Sequence, residues 1–300
     1  MFFSYRDETK ELNDLTRKEA SGSFVQLSDG YTHYDFNHPS TLPEGEGPEV
    51  RDVVLVHGFS MAYFIYDPTF EFLTKSGFRV LRYDLYGRGF SDRPEAQYNI
   101  DLFVRQLAEL LDALAFTRPV TLVGLSTGGP ITATFTARFP ERVNQLVLID
   151  PVGAESFALA RVLKVAASPF LGEAIIGLLG SRGMARISAA DVSVRRCADQ
   201  LLSRYLISMQ YKGFKRAILS TIRNNMLGSF RHIYEQIAKI DKPVLLFWGE
   251  HDHTVPFKHS NALRSMLPNA RFHAIENCGH IPHYEKPDEV NPILLEFLRQ

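Results

Sequence analysis

Three hundred residues, 45% hydrophobic and 22% charged, are enough for one large core or for a core with an inserted subdomain. A formal net charge of -1 leaves out the basic excess of a nucleic-acid binder. No apolar run approaches the ~20 residues needed to cross a bilayer, and the first residues meet charge at Arg6 and Asp7 rather than forming a signal peptide. Cys197 and Cys278 fit no ligand pattern and read as reduced thiols, so the expectation is a soluble, cytoplasmic protein.

In chain order, residues 1 to about 21 are charged and weakly patterned, predicting an exposed helix or arm. Ser23 to Leu27 and Tyr31 to Phe36 are strand-like runs around the turn Ser28-Asp29-Gly30. A turn-rich connection, Pro39 to Pro48, leads to Asp52-Val53-Val54-Leu55-Val56. Unalternated apolar runs of that kind suit strands buried on both faces. The pattern repeats at Phe78 to Tyr83, Val120 to Val123, Val143 to Ile149, Val244 to Trp248 and about Phe272 to Glu276. Helical stretches fall between, at about Asp67 to Lys75, Ile100 to Ala115 and Ile131 to Phe139, and one closes the chain at about Pro287 to Arg299. Leu102, Phe103, Leu107, Leu110, Leu111 and Leu114 recur at helical spacing. Alternating strands and helices predict a mostly parallel sheet covered on both faces.

The alternation stops between 153 and 235, where helical stretches follow one another without strands: Phe157 to Ala167, Leu171 to Leu179, Ala198 to Gln210 and Phe214 to Asn224. The reading is a core of residues 1–152 and 236–300, with a helical cap at 153–235 inserted after the sixth strand. An insert leaving a strand's carboxyl end lands over the ligand crevice of an open parallel sheet, so it is expected to act as a lid.

Chemistry concentrates at Gly124-Leu125-Ser126-Thr127-Gly128, which joins a strand to a helix. A serine in so sharp a turn is expected to be strained, with its hydroxyl clear of the sheet and a helix amino end beside it. A serine nucleophile also needs a base and a group to orient that base. Asp252 follows the strand ending at Trp248, and His280 follows the last strand, which gives the order Ser, Asp, His expected for this architecture. The backbone N–H groups of Thr127 and of Phe59, in the turn His57-Gly58-Phe59, are the candidate oxyanion donors. Asp150, after the preceding strand, is an alternative acid, although Asp150-Pro151 also makes an ordinary strand-ending turn.

These motifs, with Asp84-Leu85-Tyr86-Gly87-Arg88-Gly89-Phe90-Ser91-Asp92, resemble the α/β-hydrolase-fold serine hydrolases over most of residues 23–299. Within them the chain is similar to small esterases, monoacylglycerol lipases and carbon–carbon bond hydrolases. The resemblance implies a mostly parallel eight-stranded sheet, with Ser126 as nucleophile, Asp252 as acid and His280 as base. Ser126 argues against the dehalogenases and epoxide hydrolases, which carry aspartate at the elbow. Carbon–carbon hydrolases of the meta-cleavage type usually carry Trp after the histidine, where this chain has Ile281.

The expected activity is hydrolysis of carboxylic esters with an apolar acyl chain. The alternatives are a meta-cleavage carbon–carbon hydrolase and a non-catalytic lidded binding protein. No cofactor and no metal are expected: His251, His253 and His283 form only pairs with the site residues, short of the converging set a metal needs. His57 is expected to fix the oxyanion turn, and Asp84, Arg88 and Asp92 to be structural. The partner is a small-molecule ester or lipid, with no nucleic acid; the oligomeric state is not readable. Residues 153–235 carry twelve basic and five acidic residues, a net +7. Beside Phe170, Leu171, Ile175, Ile176, Leu178 and Leu179, that charge suits peripheral contact with an anionic membrane. The other reading has the charges coating solvent-facing helix sides while the apolar residues pack on the body.

Overall fold

The computed structural model describes residues 5–37, 51–156, 162–165, 167–189, 192 and 195–300. Among them, eight strands form one sheet in the order β1-β2-β4-β3-β5-β6-β7-β8. The strands are β1 (Ser23–Leu27), β2 (Gly30–Asn37), β3 (Asp52–Val56), β4 (Arg79–Tyr83), β5 (Val120–Leu125), β6 (Val143–Ile149), β7 (Val244–Gly249) and β8 (Arg271–Ile275). β2 runs antiparallel to both neighbours, and the pairs from β4 onward are parallel. The expected turn-rich connection at 39–48 and most of the helix expected at 157–167 lie outside the described residues.

The unalternated strands are explained by two cores, one on each face. Val53, Leu55, Val123, Leu125, Val147 and Ile149 point to one side, and Val54, Val56, Leu122, Leu146 and Leu148 to the other. The first face is covered by α2 (Asp67–Lys75) and the C-terminal helix Pro287–Leu298, through Phe70, Leu73, Leu294 and Phe297. On the second face lie α3 (Ile100–Ala113) and α4 (Gly128–Arg138), through Phe103, Leu107, Ile131 and Phe135. Burying a large apolar side chain contributes about 1.5–3 kcal/mol, so a polar residue in the middle of β3 or β5 would remove support from one whole face.

After α1 (Asp14–Glu19) and α2 to α4, the described residues between β6 and β7 hold a helical turn at 162–165 and then α5 (Leu171–Ala189), α6 (Arg195–Ser208), α7 (Phe214–Arg223) and α8 (Arg231–Ile237). α5 breaks at Gly180, whose φ of 61° and ψ of 174° leave the helical region. α8 was not anticipated; its Ile233, Tyr234 and Ile237 pack on the second face, so it belongs with the body helices rather than with the preceding three. Two more unanticipated helices, α9 (His259–Met266) and α10 (Pro282–Glu285), follow β7 and β8, and α11 is Pro287–Leu298.

The amino-terminal segment differs from an exposed arm. Tyr5 and Glu8 are buried. Glu8 accepts the backbone N–H groups of Gly213 (2.8 Å) and Lys215 (2.7 Å), which caps the start of α7. Asp7 accepts the Ser181 N–H at 2.6 Å, just past the break in α5, and pairs with the buried Lys215 ammonium. Helix N-termini leave N–H groups without intrahelical partners, and carboxylates satisfy them favourably. Thus two helices of the insert start on acids supplied by the other end of the chain.

Candidate active site

β5 ends in the turn that carries Ser126, whose φ is +54°. A left-handed non-glycine residue costs on the order of 1–2 kcal/mol. The surroundings impose it. Ser126 N–H donates to Ile149 O at 2.9 Å, while Ser126 O accepts from Gly129 (3.0 Å) and Val152 (3.2 Å). The flanking glycines are steric necessities: a Cβ on Gly124 would stand 2.5 Å from Gly128 O, and one on Gly128 only 2.2 Å from Val56 O.

His280 and Asp252 come from the loops after β8 and β7. Nδ1 of His280 lies 2.8 Å from Oδ2 of Asp252, and the second oxygen of Asp252 accepts the Val255 N–H at 2.7 Å. Asp252 is buried, whereas His280 is partly exposed. Asp150, also buried, spends Oδ1 on the Gly249 N–H at 2.9 Å. Asp150, Asp252 and His280 each place one ligating atom within 4.8 Å of the others. By distance the three could receive a cation, yet Asp252 Oδ2 is engaged with the imidazole and Asp150 Oδ1 with a backbone amide.

Ser126 and His280 line one cavity, of about 270 Å³, together with Gly58 and Phe59. The turn His57-Gly58-Phe59 comes close to the serine: a Cβ on Gly58 would lie 3.0 Å from Ser126 Cβ. Among the described hydrogen bonds, the N–H groups of Phe59 and Thr127 have no protein acceptor. The remaining walls are mostly apolar, with Met61, Val152, Ile175, Leu179, Ile218 and Leu227 among them and Ile281 beside the histidine, interrupted by the hydroxyl side chains Ser60, Tyr205 and Thr254. Among the described residues no lysine or arginine lines it.

His57 is fully buried; Nε2 accepts the Leu85 N–H at 2.9 Å, so the proton sits on Nδ1, which donates to Gly58 O at 2.9 Å. Burial holds its pKa down to about 4, although the Asp84 charge pulls the other way. Burial opposes ionisation of Asp84, but the His33 imidazole at 2.7 Å and the N–H groups of Tyr63 and Phe90 outweigh it and carry the pKa to about 2. Arg88 is buried as well. It donates from Nε to Phe59 O (2.8 Å), from Nη1 to Tyr86 O (3.1 Å) and from Nη2 to Thr221 Oγ1 (2.8 Å), tying the turn to α7. Asp92 accepts the Tyr31 N–H at 2.8 Å and pairs with Arg17 at 2.7 Å, away from the cavity. Arg88 was assigned to the turn alone; its contact with an insert helix more than a hundred residues later carries no sequence signal.

Buried neutral histidines set an acid limit on the fold. Burial also depresses His283, whose ring lies tilted against that of Tyr66 with centroids 4.7 Å apart, to about 3. Between pH 6.5 and 4 the unfolded chain binds protons that these two rings refuse, so stability rises with pH there and is lost as pH falls. His57 alone accounts for about 3 kcal/mol. Urea midpoints should therefore drop steadily from pH 7 to pH 4, with a shallower profile for His283→Phe.

A family model described as the alpha/beta hydrolase family matches residues 53–293. The 2-hydroxy-6-oxo-2,4-heptadienoate hydrolase of Pseudomonas putida is 31% identical over 73% of this chain and 78% of its own. The 2-hydroxy-6-oxo-6-phenylhexa-2,4-dienoate hydrolase of Comamonas testosteroni is 28% identical over 95% and 97%. Among solved structures, a meta-cleavage product hydrolase variant superposes with a TM-score of 0.74 at 26% identity, covering 93% of this chain and 98% of the other. An esterase from Thermogutta terrifontis gives 0.73 at 21%, with 93% and 98% covered, a likeness of fold alone. With the family matched over more than two thirds of its length and the sheet order observed, this chain belongs to the alpha/beta hydrolase family and is a hydrolase.

Proposed function

We propose that the protein is a serine hydrolase of carboxylic esters with an uncharged, apolar acyl group. The reading rests on one observation: Ser126 and His280 open into a cavity whose described walls are mostly apolar, with only neutral hydroxyls from Ser60, Tyr205 and Thr254 and no cation. In this mechanism His280 takes the Ser126 proton as the hydroxyl attacks the ester carbonyl. Asp252 holds the imidazole by Nδ1 and stabilises the imidazolium. The tetrahedral oxyanion sits between the amides of Phe59 and Thr127, which form an oxyanion hole; each such donor is worth about 3 kcal/mol of barrier. His280 then protonates the leaving alcohol, and water clears the acyl-enzyme. The segment between β6 and β7 acts as the cap, its helices supplying Ile175, Leu179 and Ile218 and the turn after α7 supplying Leu227 to the acyl side.

The second reading, carbon–carbon bond hydrolysis, is favoured by the names of the dienoate hydrolases that the chain resembles. A dienoate brings a carboxylate, and an ion buried without a partner is costly. Steady-state rates on p-nitrophenyl butyrate and octanoate, set beside those on 2-hydroxy-6-oxo-6-phenylhexa-2,4-dienoate, separate the two. The ester should win in kcat/KM by about a hundredfold or more, the equivalent of roughly 3 kcal/mol of unpaid charge burial. A dienoate rate above both ester rates rejects the ester reading.

A further inference from the structure

Three of the insert's seven net positive charges are met by acids from outside it, and two more of its cations pair with acids of its own that the net already counts. Lys215 pairs with Asp7, Arg204 with Asp67, Lys212 with Glu11, Arg223 with Glu173 and Arg231 with Glu235. Arg216 donates to the carbonyls of Arg93 and Pro94. Among the described side chains, Lys164, Arg182 and Arg186 remain, each exposed and paired with no described carboxylate. All three lie in one short stretch.

That same stretch concentrates exposed apolar surface. Of the nine large apolar side chains exposed among the described residues, seven fall between 162 and 187. Val162, Val165 and Phe170 are 62%, 69% and 69% exposed, Leu178 89% and Ile187 63%, so most of the area of each meets solvent. The packing alternative therefore holds for Ile175 and Ile176, which turn inward, and fails for Leu171, Leu178 and Leu179. Leu171 and Leu178, seven residues apart, are exposed on the segment before the break at Gly180, and Arg182 and Arg186, four apart, on the segment after it, so apolar and cationic side chains are both presented to solvent. Leu179 and Ile187 are both exposed and part of the cavity wall, so the patch is continuous with the rim of the site.

From this we infer that the 162–187 face docks on an anionic phospholipid surface, bringing the cavity rim against the bilayer. An exposed apolar cluster needs a partner, and unpaired cations beside it select an anionic one. A second copy of the chain fits poorly, because a two-fold contact through this face would set three cations against three. Each cation near such a surface contributes about a fivefold gain in partition. The inference concerns a surface and does not depend on the reaction proposed above.

The test is co-sedimentation of full-length Ser126→Ala protein, which cannot hydrolyse the lipid, with phosphatidylcholine vesicles with or without about one third phosphatidylglycerol. Binding is expected to the anionic vesicles only, and to weaken at high salt. Adding Arg182→Glu and Arg186→Glu together should lower it at least about tenfold, and Leu178→Ser alone by roughly tenfold. None of these side chains lines the cavity, so melting curves and p-nitrophenyl ester rates of the same substitutions with Ser126 intact should match the unsubstituted chain. Equal binding to neutral vesicles, no binding to either, or variants that bind as well as the parent would each overturn the inference. So would a dimer in light scattering that Leu178→Ser dissolves, since the patch would then be a contact between copies.

Discussion

Ser126→Ala should lower ester turnover by about a million-fold, to the level left by binding and oxyanion donors alone. The same change should abolish covalent capture of a fluorophosphonate probe, with the adduct on the parent protein mapping by mass spectrometry to residue 126. The size of the effect follows from the site: the hydroxyl sits on a backbone at φ +54°, and no other serine or cysteine of the site shares that turn. Folding should not suffer. Ser126 holds its neighbours through its N–H and C=O, which alanine retains, so the variant should melt near the parent. A parent protein that neither turns over esters nor reacts with the probe would instead point to a lidded binding protein.

The second large effect separates two buried aspartates that the sequence alone leaves as rivals. Asp252→Asn should reduce kcat by about a thousand- to ten-thousandfold with little change in KM. Its carboxylate is the group 2.8 Å from His280 Nδ1, and an amide there would favour the wrong tautomer. Asp150→Asn should behave differently. Asp150 Oδ1 accepts the Gly249 N–H and the residue has a φ of +43°, a conformation that asparagine tolerates. That variant should keep turnover within about tenfold and show its cost in thermal stability, by roughly 1–3 kcal/mol. Kinetics and melting on the two variants settle the assignment, and reversed effects would make Asp150 the acid.

Most of the sheet could be read from the chain because parallel strands buried on both faces leave an unmistakable run, as in Asp52–Val56 and Val143–Ile149. Ser126 was legible through its glycines, whose spacing answers to backbone atoms 2.2 to 2.5 Å from a hypothetical Cβ. Short polar helices such as His259–Met266 were not, since eight residues give too little periodicity to stand out. Nor was the role of Asp7 and Glu8. Two acids in a charged opening segment look like solvated surface, and only the fold brings them to helix starts about 170 to 210 residues later. The charge of the insert was countable, but which cations keep their charge exposed depends on partners drawn from Asp67 and the first eleven residues.

Arg88 makes the loop of residues 84–91 and the helix Phe214–Arg223 a matched set. A planar guanidinium with donors in a fixed fork meets three oxygens at once, and a flexible ammonium cannot reproduce that reach. Nearby, Gly87 has room for no side chain because Ala217 would stand 2.4 Å from its Cβ. Transplanting a different helical insert onto this body, as one would to change substrate range, would thus strand a buried cation and loosen the Phe59 carbonyl it holds, in the same turn as the Phe59 N–H. Successful grafts would have to carry residues 84–91 along with the new helices.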